Sequence, residues 1–276
     1  MKRSFDLILK DARRQVDDDF TVEELYWLIE DTFHLERYQI FSLREEIFDD
    51  ALFMARLEKA RSVPVAYILG YREFFSRRFF VNPDVLIPRN ETEELVEKAI
   101  AYIASLKDEV TVLDVGTGSG CIAITLKAEL EKSGRNDRII ASDISDNALN
   151  IARRNADNLN EKISFIKSDC LTDIDGDIDI IVSNPPYISE NSYLSERVKN
   201  NEPHLALFAE ENGTAFYHRI LKQGRNKNVR AYFFEISPEQ KDLLETYRNR
   251  YLPDFLPFYE RDMNGLLRFA IFKQSE

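Results

Sequence analysis

The residues of this chain whose types and spacing suit chemistry are Asn184-Pro185-Pro186-Tyr187. Neither proline carries a backbone N–H and both rings fix φ, so the turn offers carbonyl oxygens on a stiff frame without competing donors. The Asn184 side-chain oxygen beside the Pro185 carbonyl makes two acceptors at a nearly fixed separation, matched to an –NH2 group with two hydrogens to give. Tyr187 adds a flat face for a planar group. A planar amide or ring amine is a poor nucleophile because its lone pair is delocalised; holding both hydrogens aims that lone pair and favours pyramidalisation. Alone, a Pro-Pro turn that merely ends a strand explains the same dipeptide, so the chemical reading needs a cofactor site elsewhere in the chain.

A second stretch supplies one. Asp114 precedes Gly116-Thr117-Gly118-Ser119-Gly120 by two positions, and a helix pattern starts at Cys121. The glycines let the backbone pass close beneath a ligand, and the helix start offers free N–H groups. A nicotinamide fingerprint places its third glycine one position later, where this chain has Cys121. Gly-x-Gly-x-Gly behind an acidic residue instead looks like the loop that holds S-adenosylmethionine, with the Asp114 carboxylate near its ammonium or sulfonium side. Asp143 is positioned to accept from both ribose hydroxyls, and Asp169 to take the adenine amino group with Cys170 in the pocket wall. For Asp143 and Asp169 the competing explanation is a helix cap or loop residue. Cys121 reads as a packing residue rather than a nucleophile.

The elements that must hold these residues follow from periodicity. The β-branched run Ile178-Asp179-Ile180-Ile181-Val182-Ser183 reads as a buried strand, so the Asn-Pro-Pro-Tyr turn lies past a strand's carboxyl end, where open α/β sheets bind ligands. From Asn90 the pattern runs strand, helix, strand, helix. Strands are expected at 110–115, 139–143, 163–166, 178–182 and 229–236, and two late ones near 255–258 and 266–272. Repeated βαβ units imply a parallel sheet, and the closing strand pair, with no helix between, implies an antiparallel edge. The fold class is therefore α/β, a Rossmann-like sheet of seven mostly parallel strands. Residues 1–62 read as a helical domain, with a capping box at Thr21 and Glu24 and apolar spacing through Leu43, Ile47, Leu52, Met54 and Leu57. Residues 63–88, where aromatic and polar residues alternate from Tyr67 to Val81, read as a β-hairpin linker, and 89–276 as the catalytic domain.

Composition narrows the partners. A net charge of −12 argues against a general affinity for nucleic acid or anionic membrane, which needs clustered Lys and Arg. Residues 1–70 hold ten Lys or Arg against fifteen Asp or Glu, a balance that suits a protein-binding face better than a DNA clamp. Cys121 and Cys170 give no disulfide framework, and no apolar signal segment follows Met1, so a reducing cytoplasm is expected. His34, His204 and His218 lack partners at metal-ligand spacing, and no metal is expected. A glycine-rich cofactor loop, Asp143 and an acceptor-rich turn together read as a methyltransferase acting on a planar –NH2 nitrogen. No general base is evident, and a sulfonium electrophile does not demand one.

Across nearly its whole length the chain resembles the glutamine N5-methyltransferases of peptide chain release factors, the HemK type. Pro64 with Tyr67-Ile68-Leu69-Gly70, Phe74, and Val85-Leu86-Ile87-Pro88-Arg89 followed by Glu91-Thr92-Glu93-Glu94-Leu95 look like that family's linker and domain entrance. Asp114 to Gly120 and Asn184 to Ile188 look like its two active-site motifs, and Glu202-Pro203, Glu235 with Gln240, and Asp262 with Gly265 and Arg268 like its later signatures. Asn90 and Ser237 depart from the family's usual Pro and Gly. The resemblance implies S-adenosyl-L-methionine as cofactor, S-adenosyl-L-homocysteine as product, and the glutamine of the Gly-Gly-Gln motif in class I release factors as acceptor. It also implies that the helical domain recognises the substrate, that Asn184 and Pro185 hold the glutamine amide with Tyr187 against its plane, and that Arg89, Thr92 and Glu93 line the mouth of the cofactor pocket. Asn-Pro-Pro-Tyr is shared with adenine-N6 methyltransferases of DNA or RNA, whose flipped base would use the same pocket. A non-catalytic adaptor on the same fold is the remaining alternative.

Overall fold

The computed structural model describes residues 2–189 and 192–275. Its contacts divide the chain into two units, Met1–Tyr71 with Tyr193–Asn201, and Arg72–Ser192 with Glu202–Glu276.

The first unit begins with strand β1 (Lys2–Ser4) and helices α1 (Phe5–Arg13), α2 (Val22–Phe33) and α3 (Gln39–Ser42), followed by β2 (Ile47–Asp49), α4 (Ala51–Ala60) and α5 (Val65–Leu69). Phe5, Ile8, Leu9 and Ala12 of α1, Leu25, Leu28 and Ile29 of α2, and Phe53, Leu57 and Ala60 of α4 form its core, each set at the three- and four-residue spacing of one helix face. The capping box is present: Thr21 Oγ1 accepts from Glu24 N and Glu24 accepts from Thr21 N, both at 3.2 Å. Two expectations need correction. Ile47 lies in a strand pairing antiparallel with β1, and Leu52 and Met54 face outward while Phe53 fills the core. The segment Tyr67-Ile68-Leu69-Gly70 is not hairpin; it is the end of α5, stopped by Gly70 at φ 81°.

The hairpin itself is short, β3 (Tyr71–Phe74) and β4 (Arg77–Phe80). Phe75 and Ser76 both have positive φ, the turn geometry that matches strand twist in a two-residue hairpin loop.

In the second unit α6 (Asn90–Ser105) leads into β5 (Thr111–Val115), α7 (Cys121–Lys132), β6 (Arg138–Asp143), α8 (Asp146–Leu159), β7 (Ser164–Lys167) and β8 (Ile180–Ser183). Short helices α9 (Glu196–Asn201), α10 (His204–Leu207) and α11 (Glu210–Gly213) precede α12 (Ala215–Gly224), β9 (Ala231–Glu235), α13 (Lys241–Tyr251), β10 (Phe255–Arg261) and β11 (Leu267–Gln274). Helix α9 counts with the first unit, although a linear reading assigns it to 89–276. The reason is Arg197, which is buried, makes a two-bond pair with Glu24, and donates to the carbonyls of Asp19 and Val63.

The strand order is β10-β11-β9-β8-β5-β6-β7. Strands β7, β6, β5, β8 and β9 are parallel, and β11 runs antiparallel between β9 and β10, as the sequence pattern requires. From β5 the chain builds outward through β6 and β7, then returns to start β8 on the other side. The two strands flanking this reversal are those that end in Val115 and Ser183, so the glycine loop and the Asn-Pro-Pro-Tyr turn emerge side by side. Ser183 Oγ donates to Val115 O at 2.6 Å and locks the two strand ends together.

Candidate active site

At the carboxyl end of β5, Gly116 N and Thr117 N both donate to Ser142 O at 2.9 Å, which curls the loop over the end of β6. Gly116 (φ 73°) and Gly118 (φ 55°) adopt the left-handed region, and a Cβ built on either meets no atom within 4 Å. Both glycines line a pocket shared with Val115, Asp143, Asp169, Cys170, Asn184, Pro185 and Pro186. The cradle is thus open on the side where a bulky planar ligand would lie. Gly120 differs: its added Cβ would meet Ile124 Cδ1 at 2.8 Å and Ala152 Cβ at 3.2 Å, so it serves the packing of α7 on α8.

Asp143, at the end of β6, lines the pocket and is anchored by the loop. Its Oδ2 accepts from Gly118 N at 3.0 Å and its Oδ1 from Ser145 N at 2.9 Å. A carboxylate has about four acceptor positions, so these bonds leave acceptor capacity for a hydroxyl donor. Burial raises its pKa, with the Ser145 and Gly118 N–H groups opposing. Asp169 also lines the pocket, but Arg219 Nη1 donates to both of its oxygens, at 2.7 and 2.8 Å, and that guanidinium sits 4.5 Å from the Phe216 ring centre. Cys170 is buried with φ 54°, and burial pushes its thiol up to about 12.

Asp114 lies elsewhere. It is fully buried beneath the loop, where its Oδ2 accepts from Thr117 Oγ1 at 2.6 Å and Ala123 N at 3.2 Å, and it is not among the pocket-lining residues. Its Oδ1 has no partner among the described residues, and burial raises the carboxyl to about 7. Thr117, Ser119 and Gly120 are likewise behind the pocket wall, and Ser119 O accepts from Asn155 Nδ2 at 2.8 Å. Cys121 is buried, its thiol pushed up to about 12 by desolvation, which makes it inert at neutral pH.

The turn after β8 is held on all sides. Ile188 N donates to Leu207 O at 3.0 Å and Ala209 N to Ile188 O at 2.9 Å. The Gln240 side-chain amide donates to the carbonyls of Tyr187 and Gly213 and accepts from Ser237 N at 2.9 Å. Asn184 Nδ2 donates to Thr92 Oγ1 at 3.1 Å, and Thr92 Oγ1 donates to Glu235 Oε2 at 2.7 Å. Tyr187 Oη donates to Glu235 Oε1 at 3.3 Å. Tyr187 itself does not line the cofactor-side pocket; Asn184, Pro185 and Pro186 do. On the facing wall, Glu202 accepts from Ile87 N at 3.1 Å and Arg89 Nη2 at 2.6 Å, which fastens Val85 and Leu86 to Pro203, Leu205 and Ala206 around the pocket. Phe216 and Arg219 of α12 also line it, and no local sequence motif marks either residue.

The methyltransferase small domain family matches residues 97–203. The release factor glutamine methyltransferase of Streptococcus pneumoniae is 40% identical over 240 residues, 84% of each chain. This chain belongs to the release factor glutamine methyltransferase family. The Staphylococcus aureus enzyme of that name is 35% identical over 258 residues, 90% of each chain, so the likeness to release factor glutamine methyltransferases includes most of both units. Among solved structures, the N-terminal domain of human METTL16 in complex with SAH shares the fold, with a TM-score of 0.53 at 20% identity over 85% of this chain and 87% of that one.

Proposed function

We propose that this protein transfers the methyl group of S-adenosylmethionine to the side-chain amide nitrogen of the glutamine in the Gly-Gly-Gln motif of class I peptide chain release factors. One observation carries the reading: the glycine loop after β5 and the Asn-Pro-Pro turn after β8 line the same pocket at the reversal of strand order. Membership of the release factor glutamine methyltransferase family supports the choice of acceptor. The open Cβ directions of Gly116 and Gly118 and the pocket-facing carboxylate of Asp143 suit an adenosine-bearing cofactor.

The cofactor supplies an electrophilic methyl on a sulfonium. The chain's own part is to bind, to orient and to exclude water. Asp143 takes ribose hydroxyls, and Phe216 with the Asp169–Arg219 pair closes the pocket wall. Asn184 Oδ1 and the Pro185 carbonyl accept the two amide hydrogens of the substrate, aim its nitrogen lone pair and favour its pyramidal form as the new bond grows. The proton lost afterwards leaves from a cationic amide, which is acidic enough to pass to water.

The test is mass spectrometry of a release factor incubated with the protein and isotopically labelled cofactor. A single labelled methyl on the Gly-Gly-Gln glutamine is the expected result. Label on nucleic acid instead, or on no site of the release factor, sinks the reading.

A further inference from the structure

Two residues near the turn neither line the pocket nor carry the motif, yet a chain of hydrogen bonds joins them to the Asn184 amide. Thr92, in the first turn of α6, and Glu235, at the end of β9, are both buried and lie 143 positions apart. A threonine hydroxyl has one proton. Here it goes to Glu235 Oε2 at 2.7 Å, so only the oxygen lone pairs remain for Asn184, whose Nδ2 donates at 3.1 Å. We propose that Glu235 and Thr92 are positioning residues for methyl transfer, a two-step hydrogen-bond relay that turns Asn184 Oδ1, rather than its NH2, toward the acceptor. The proposal rests on the function above.

The alternative orientation shows why the relay matters. With the amide reversed, the Asn184 NH2 would meet the substrate's own NH2, two donors facing each other, and the turn would lose one of its two acceptors. The free-energy difference between the two orientations of an unrestrained amide is small, so the preference must come from its neighbours. Glu235 is held for this task. Tyr187 Oη donates to its other oxygen at 3.3 Å, Tyr217 Oη donates to its backbone carbonyl at 2.7 Å, and Arg268, paired with Asp262, faces it from β11. Glu91 on α6 and the Cys121 thiol on α7 also face it.

Protonation inverts the logic. Glu235 as an acid donates to the Thr92 oxygen, the Thr92 proton is released toward Asn184, and the stable partner becomes Oδ1. Burial raises the Glu235 carboxyl to about 7, opposed by the Thr92 hydroxyl and the Arg268 charge, so this inversion falls in an accessible range. Turnover is therefore expected to fall below about pH 7 while cofactor affinity stays level.

Three variants test the relay: Thr92→Val, which keeps shape and loses the hydroxyl, Thr92→Ser, which restores it, and Glu235→Gln, which cannot change its charge. Thr92→Val is expected to lower kcat about ten- to a hundredfold, the scale of a misplaced reacting group, with cofactor Kd by calorimetry within about threefold. Thr92→Ser is expected to recover most of the rate, and Glu235→Gln to flatten the acid limb. Exchange of the Asn184 side-chain amide with solvent, followed by NMR, is expected to speed up in Thr92→Val. Wild-type kcat in Thr92→Val, parallel loss of cofactor affinity, no rescue by Ser, or an unchanged amide exchange rate each overturn the relay. If the wild-type protein leaves release factors unmodified, the proposed function fails, and the exchange measurement still decides the relay.

Discussion

At the scale of single residues, the two carboxylates flanking the glycine loop behave differently, and their surroundings explain it. Asp143 keeps acceptor positions open to the pocket, whereas Asp114 spends its oxygen on Thr117 and the first turn of α7. Asp143→Ala is therefore expected to weaken cofactor binding first, seen as a rise in calorimetric Kd. Asn184→Ala is expected to act the other way: turnover falls by about 10²–10³, the usual cost of one lost transition-state hydrogen bond, with cofactor Kd within a few fold. Equal damage to both quantities in either variant contradicts the assigned roles. The motifs made both residues legible, since Asn184 and Asp143 sit at strand ends that periodicity alone locates. Arg219 on Asp169 was not legible, because fifty positions separate the pair and no local pattern joins them.

At the scale of elements, the Asn-Pro-Pro-Tyr turn depends on parts of the chain that lack any chemistry of their own. Gly213, at φ 82°, lets α11 and α12 pass so close that a Cβ there would lie 2.2 Å from the Tyr187 carbonyl oxygen and 2.8 Å from Gln240 Nε2. Gly213→Ala must displace that carbonyl or break the Gln240 anchor, and it also strains a left-handed backbone by about 1–3 kcal/mol. The expected outcome is a lower melting temperature together with reduced turnover and near-normal cofactor affinity. A variant that melts like the wild type and turns over normally refutes the role given to this crossing. The strands of the large sheet are legible in the sequence to within a few residues, because buried β-branched runs are strong signals. Strands β1 and β2, of three residues each, are too short for a period to register, and α5 looks like strand in the sequence because Tyr67, Ile68 and Leu69 are as common in hairpins as in a single helical turn.

For the molecule as a whole, pH acts on stability from two sides. Asp114 and Glu235 each have a folded-state pKa raised to about 7 by burial, above the ordinary carboxyl range near 4. A raised carboxyl pKa favours the protonated folded state, so this contribution is complete below about pH 4 and is lost as pH rises through about 7. Carboxyls held low act oppositely. In Asp262 burial is outweighed by the Leu266 N–H and the Arg268 guanidinium, and its contribution is lost as pH falls through its depressed pKa. Asp114→Asn is expected to reduce the loss of unfolding free energy between pH 5 and pH 8 in chemical denaturation, whatever the variant's absolute stability. An unchanged slope means that the buried carboxyl does not titrate in this window. Among the described residues no helix is long and apolar enough to cross a membrane.

By itself the amino-acid sequence determined the succession of the seven strands of the large sheet, the two loops that meet, and the kind of nitrogen they suit, because periodicity, the freedom of Gly and the stiffness of Pro act over a few neighbouring residues. Tertiary structure alone decided that Asp114 braces the loop from behind, that Arg197 draws α9 into the first unit, and that Thr92 joins Asn184 to Glu235. The Arg197 and Thr92 bonds join positions far apart in the chain, and the burial of Asp114 needs the loop and α7 packed over it, so all three exist only after the sheet and its helices have closed.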